Sequence, residues 1–252
     1  MSTRTALVTG ASRGLGRALT TALADRSWRV VMDGRDAARL SATVAEIQQR
    51  ERLVALPGDV ADPRHRAALA EAVGPRLDLL VNNASELGPS PLPHLADLHP
   101  DEFQRVLTVN TVAPLALVQA VLPALLAARG TVVNISSDAA VEAYAGWGGY
   151  GASKATLDQL TAVLAVENPA LRVYAVDPGD MATDMHQAAF PGEDISDRPT
   201  PESVVPGLLA LVDADLPSGR YRILASVQGP TASVRVVGGR EVLSVVAAGA
   251  AR

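Results

Sequence analysis

Tyr150 and Lys154 lie four residues apart in the run Y-G-A-S-K, and Ser137 precedes the tyrosine by thirteen positions. On a helix, a spacing of four returns two side chains to one face. The lysine ammonium would then stand beside the phenol. A free phenol titrates near pH ~10 and is a poor base at neutrality. A neighbouring cation favours phenolate and lowers that pKa toward the working range. A serine hydroxyl reaching the same point would hold a carbonyl or alcohol oxygen. The three residues describe proton transfer at one substrate oxygen. Y-x-x-x-K also occurs on ordinary solvated helix faces, so this reading depends on what the rest of the chain places around it.

The first apolar run leads into T-G-A-S-R-G-L-G, which contains Gly10, Ser12, Arg13, Gly14, Leu15 and Gly16. Glycines at a strand-to-helix turn let phosphates approach the backbone, and the helix start offers free N–H groups. The spacing is G-x-x-x-G-x-G rather than the G-x-G-x-x-G dinucleotide fingerprint. Asp33 ends the second strand, where a carboxylate can accept from an adenosine ribose and repel a 2′-phosphate. Arg13 and Arg35 pull the other way, because guanidinium groups pair with phosphate. Asp33 occupies the strand end itself, so the sequence favours NAD over NADP.

Elements that must position these residues alternate along the chain. Strands are expected at Ala6–Thr9, Arg29–Asp33, Leu53–Leu56, Leu77–Val81, Thr131–Ile135, Leu171–Val176 and Arg220–Leu224. Helices are expected at about 15–24, 37–50, 63–73, 101–128, 150–166 and 201–212. That alternation predicts an α/β fold, a single-domain Rossmann-type doubly wound parallel sheet with helices on both faces. Residues 1–225 form the dinucleotide-binding and catalytic domain in this reading. Residues 226–252 form a short C-terminal β-rich extension, with a hairpin signal at Gly238-Gly239. The extension could join a sheet edge, pack on a partner subunit or fray. The run Met185–Thr200 reads as a loop over the site.

The chain has 252 residues, 48% hydrophobic and 19% charged, with net charge −5 and no cysteine. The charge excludes the basic face that nucleic acid requires. Without cysteine there is no disulfide, thiol nucleophile or thiolate metal site. The N-terminus lacks a signal core. The most apolar stretch, 112–128, contains Pro114, Gln119 and Pro123 and falls short of the ~20 apolar residues of a membrane span. These features point to a soluble cytoplasmic protein with no membrane partner.

Taken together, the motifs resemble the short-chain dehydrogenase/reductase family over roughly residues 5–225. T-G-A-S-R-G-L-G matches its cofactor loop. Asp59-Val60 matches its pair near the adenine. Asn82, Asn83 and Ala84 match the segment that lines the cofactor, with Ser85 where the family often has glycine. Asn110 falls at its helix asparagine, N-I-S-S places Ser137 at its serine, and Y-G-A-S-K supplies Tyr150 and Lys154. Pro178-Gly179, followed by Thr183, matches the segment beside the nicotinamide.

The resemblance implies hydride exchange between NAD(P)(H) and a small carbonyl or alcohol, without metal. Tyr150 would be the acid/base. Lys154 would lower its pKa and hold the nicotinamide ribose, Ser137 would orient the substrate oxygen, and Asn110 would support a relay water. Tyr144 and Trp147 are candidates for an apolar wall at the substrate, or for plain packing. The family's habit of pairing helices such as 112–128 and 150–166 implies a homodimer or homotetramer. The competing reading is a nucleotide-binding regulator or sensor on the same scaffold.

Overall fold

The computed structural model describes residues 3–224 and 233–236. Short runs rich in apolar residues form the strands β1 (Thr5–Val8), β2 (Arg29–Gly34), β3 (Leu53–Pro57), β4 (Leu79–Asn82), β5 (Thr131–Ile135) and β6 (Arg172–Asp177), and the alternating run G-R-Y-R-I-L forms β7 (Gly219–Leu224). All seven pair in parallel, and β8 (Ser233–Val236) closes the edge antiparallel to β7. The order is β3-β2-β1-β4-β5-β6-β7-β8. The part of the tail expected to fold around Gly238-Gly239 lies outside the described residues.

Alternation along each strand sends side chains to opposite faces. Ala6, Val8, Val30 and Met32 pack on one face with Leu15, Leu19 and Leu23 of α1 (Gly14–Asp25) and Val204 and Leu208 of α8 (Pro201–Asp213). Leu7, Val31, Leu80 and Val132 pack on the other face. There they meet Leu69 of α3 (Pro63–Val73) and Leu117, Val121 and Leu125 of α5 (Ala113–Ala128). Each leucine so buried stabilises the fold by roughly 1.5–3 kcal/mol.

Helix starts are set by local chemistry. Asp36 caps α2 (Ala37–Glu46) by accepting from Arg39 N, and Asp62 caps α3 by accepting from Arg64 N. Pro63 at the first turn of α3 has no N–H to leave orphaned. α2 stops at Glu46, short of the expected Arg50. Ile47 there turns to extended geometry and is buried, and a 3₁₀ turn at Arg50–Arg52 leads into β3.

The expected helix 101–128 is one rod in three parts: α4 (Pro100–Leu107), a π turn at Thr108–Val112, and α5. Pro114 has no N–H, so it cannot give Asn110 the bond that residue i+4 supplies in an α-helix. Asn110 sits inside the π turn, and such turns gather at functional sites. By length and composition this 29-residue rod is able to cross a membrane, with mean hydropathy 1.9 in its most apolar window. Here one side of it lies against the sheet, while Val112, Leu115 and Leu126 remain exposed.

The run after Met181 is more ordered than a loop. Thr183 accepts from His186 N and caps the short helix α7 (Asp184–Ala189). Irregular chain follows to α8. The helix α6 (Gly148–Glu167) carries Tyr150 and Lys154 on its buried side.

Candidate active site

The carboxyl ends of β1, β4, β5 and β6 open into a cleft of about 880 Å³. This is where an open α/β sheet binds ligands. Its wall at β1 is the glycine turn. Gly10 has φ +65, and a Cβ there would stand 2.8 Å from Ala84 Cα. A Cβ on Gly16 would stand 2.4 Å from Gly10 O. Neither position admits another residue without moving backbone.

The asparagine segment holds this turn in place. Asn83 Nδ2 donates to Thr9 O at 2.8 Å and Gly10 O at 3.1 Å, while Thr9 Oγ1 accepts from Asn83 N and Ala84 N at 3.0 Å each. Asn82 lies deeper. Its Nδ2 donates to Asn134 Oδ1 at 2.8 Å, and Asn134 Nδ2 donates to Thr161 Oγ1 at 2.8 Å. That chain ties β4 and β5 to α6.

Asp33 does not behave as the strand-end position suggests. Its carboxylate is buried, accepts from Gly10 N at 2.6 Å and faces His65 Nε2 at 3.1 Å. Burial raises its pKa, and the His65 and Gly10 contacts offset part of that rise. The group braces the glycine turn from below. Gly34 follows it with no side chain, and a Cβ there would stand 2.8 Å from Ser12 Cβ. Asp33 thus lines the cleft with one contact from the protein on each carboxylate oxygen.

Four arginines line that end, Arg13, Arg17, Arg35 and Arg39, with Arg17 paired to Glu46. Arg13 and Arg39 each donate to Asp184 Oδ2 at 2.8 Å, and Arg35 donates to Glu86 Oε2 at 3.0 Å. Asp59 and Val60 line the same region. Burial raises the Asp59 pKa, but the Ala61 N–H and the Arg105 guanidinium outweigh it and hold the carboxyl below its ordinary value.

At the other end, Tyr150 and Lys154 are both buried and both line the cleft. Lys154 Nζ donates to Ile135 O at 2.8 Å and lies 5.4 Å from the centre of the Tyr150 ring. Burial lowers the ammonium pKa to about 8, against a small opposing pull from Asp158. Burial also pushes the phenol above its ordinary range. A contact with Ser85 opposes that rise, and Asp177 and Asp138 add to it. The expected lowering of the phenol by its cation is thus overridden in the free protein by loss of water and by two carboxylates. Lys154 is also the only lysine in the chain.

Ser137 lines the cleft, with its hydroxyl donating to Asp138 Oδ1 at 3.1 Å. Asn110 is fully buried. Its Nδ2 donates to Ser153 Oγ at 2.9 Å and Glu86 O at 2.8 Å, and its Oδ1 accepts from Glu86 N at 2.7 Å and Ser85 Oγ at 3.2 Å. The side chain locks the loop after β4 to α6.

Trp147 stands edge-on to Tyr150, with ring centres 5.7 Å apart, and Phe190 lies 5.9 Å from Trp147. Leu87, Met185 and His186 complete that end of the cleft. Tyr144 belongs elsewhere. It is exposed, and its hydroxyl contacts Glu142 and Asp138.

Of the residues singled out from sequence, the structure brings all into the cleft wall except Tyr144, which lies outside it, and Gly16, Asn82 and Asn110, which support it from behind. Leu15, Pro178, Gly179 and Thr183 are among those in the wall. Sequence reasoning missed Arg39 and Asp184. Arg39 had a local signal, four positions after Arg35 and in the first turn of α2. Asp184 had none, since its partners are 171 and 145 residues away. Ser85 was noted as a departure but not as a neighbour of Tyr150.

A family model described as short chain dehydrogenase matches residues 4–194. The uncharacterized oxidoreductase YciK of Escherichia coli K12 is 33% identical over 224 residues, covering 85% of this chain and 88% of that protein. A short chain dehydrogenase structure from Salmonella enterica serovar Typhi CT18 aligns with TM-score 0.81 at 32% identity, over 87% of this chain and 94% of that one. A structure from Shigella flexneri 2a str. 301, complexed with NADP, aligns with TM-score 0.79 at 32% identity, over 87% of this chain and 95% of that one.

Proposed function

Because the chain belongs to the short chain dehydrogenase family and is an NAD(P)-dependent oxidoreductase, we propose that it interconverts a carbonyl compound and a secondary alcohol, with Tyr150 as the acid/base. The observation that carries this is the pair of buried side chains, Tyr150 and Lys154, one helical turn apart at the floor of a cleft that also contains Ser137. The cleft fits a dinucleotide by its own geometry. Its glycine turn presents bare backbone at Gly10 and Gly14, both with positive φ, and the arginine rim offers anion partners. When bound, the nicotinamide supplies or accepts the hydride.

The chain's residues manage the proton. In reduction, the Tyr150 hydroxyl gives its proton to the carbonyl oxygen, and in oxidation the phenolate takes it back. A phenol whose pKa is raised by burial holds its proton firmly, so it arrives at the reaction as an acid. The Lys154 ammonium then stabilises the phenolate that remains, in surroundings where water does not screen it. Ser137 turns its hydroxyl from Asp138 to the substrate oxygen. Trp147, Phe190 and Leu87 exclude water from one side, which suits a substrate with an apolar flank beside the reacting carbon.

For the coenzyme we read NADP(H). Asp33 is engaged by Gly10 and His65, so it does not guard against a 2′-phosphate. Arg13, Arg35 and Arg39 supply cationic donors where that phosphate would lie. The NADP bound in the Shigella relative supports this reading.

The exposed Val112 and Leu115 of the rod and Val163 and Val166 of α6 support a homodimer or homotetramer built on these two helices.

Four outcomes test these readings. Tyr150→Phe loses turnover by at least about 100-fold, the contribution of a general acid, while coenzyme binding followed by fluorescence persists. Retained turnover removes Tyr150 from the chemistry. In the reductive direction, kcat/KM falls as pH rises through about 8, where Lys154 loses its proton. A profile flat from about pH 7 to 10 contradicts that assignment. Separate titrations give NADP+ tighter binding than NAD+ by more than about tenfold, or ~1.4 kcal/mol; the reverse order overturns the coenzyme reading. Light scattering at micromolar concentration reports a dimer or larger, and a monomer refutes the assembly.

A further inference from the structure

Two guanidiniums on different elements converge on a single carboxylate oxygen at the mouth of the cleft. Arg13, in the turn between β1 and α1, and Arg39, on α2, each place Nη1 2.8 Å from Asp184 Oδ2. Like charges meet at one point only when an anion holds them there. All three residues line the cleft. Thr183, beside Asp184, comes up against the glycine turn, since a Cβ on Gly14 would lie 3.5 Å from Thr183 Cγ2. The start of α7 is therefore strapped across the coenzyme end of the cleft by an anion contributed from the chain itself.

We propose that Asp184 stands in for the coenzyme's 2′-phosphate, that NADP(H) must displace it from Arg13 and Arg39, and that Asp184 thereby sets both coenzyme discrimination and the hold on α7. The inference rests on the NADP(H) reading above. A phosphate monoester carries up to two negative charges and three acceptor oxygens, against one charge and two oxygens for a carboxylate. Both anions seek the same pair of donors, and they repel each other there. The pairs with Asp184 are half-exposed, with side-chain exposures near 50% for both arginines and 58% for Asp184. Such pairs are weak enough to yield.

Displacement has a consequence at the other end of the cleft. α7 carries Met185 and His186 into the substrate wall, and Phe190 directly follows it against Trp147. Releasing Asp184 loosens that wall only when a 2′-phosphate is present. By linkage, whatever holds α7 down weakens binding of the 2′-phosphate by the same factor.

The test is calorimetric, on the full chain, with adenosine 2′,5′-bisphosphate and 5′-AMP as probes, alongside NADP+ and NAD+. Asp184→Asn removes the competing charge and keeps the shape, and Asp184→Ala removes both. The proposal expects each variant to bind the 2′,5′-bisphosphate about fivefold tighter than the wild type, roughly 1 kcal/mol, with 5′-AMP changed by less than about twofold. Retained 5′-AMP binding certifies a folded site in each variant. Unchanged or weaker bisphosphate binding in both variants overturns the proposal, because Asp184 would then position the arginines rather than compete for them. A wild type that binds NADP+ no better than NAD+ overturns the coenzyme reading first and this inference with it.

Discussion

A charged amine kept away from water is the constraint that organises this molecule. Lys154 is almost fully buried, and its ammonium is answered by one main-chain oxygen, that of Ile135 at the end of β5. Burying a cation costs several kcal/mol unless it is paired and hydrogen-bonded. Here that cost falls beside Tyr150, whose ring centre lies 5.4 Å from the ammonium. Every other cationic side chain is an arginine, a group that stays charged whatever its surroundings. The one lysine stands beside Tyr150, and burial lowers its pKa to about 8.

The surrounding polar network keeps that arrangement rigid. Asn110 ties the chain after β4 to Ser153, the residue before Lys154, and the π turn brings it there. Asn82, Asn134 and Thr161 bind two strands to α6 below the site. Asn83, Thr9 and Asp33 fasten the glycine turn to the sheet. Most of the asparagine and aspartate residues that look like ligand contacts in the sequence are thus fasteners. The cleft wall also carries glycine backbone, arginine side chains and Ser137, Tyr150 and Lys154.

Much of this was legible in advance because the central strands β1, β4 and β5 are buried along their whole length and read as largely apolar runs, and because Asp62-Pro63 marks the start of α3 unambiguously. The end of α2 was not legible: burial of Ile47 outweighs helical continuation, and that choice belongs to tertiary packing. The contacts of Asp33 with Gly10 and His65 were not legible for a similar reason. Asp33 shares the parity of Val31, which faces α3, and His65 waits on that helix. The direction of its side chain was implicit in strand alternation, while its partner was not. The phenol pKa was misjudged because a spacing of four reports proximity and says nothing of dehydration. The Asp184 strap joins residues more than a hundred positions apart, and no local pattern encodes it.

Because the chain has a single lysine, labelling lysine with ¹³Cε and ¹⁵Nζ yields one side-chain signal, and its pH titration by NMR reads Lys154 directly. The account predicts a midpoint near 8 in the coenzyme-free protein. A midpoint at the ordinary lysine value of about 10.4 would mean that the amine is solvated, and the chemistry assigned to this cleft would lose its physical basis.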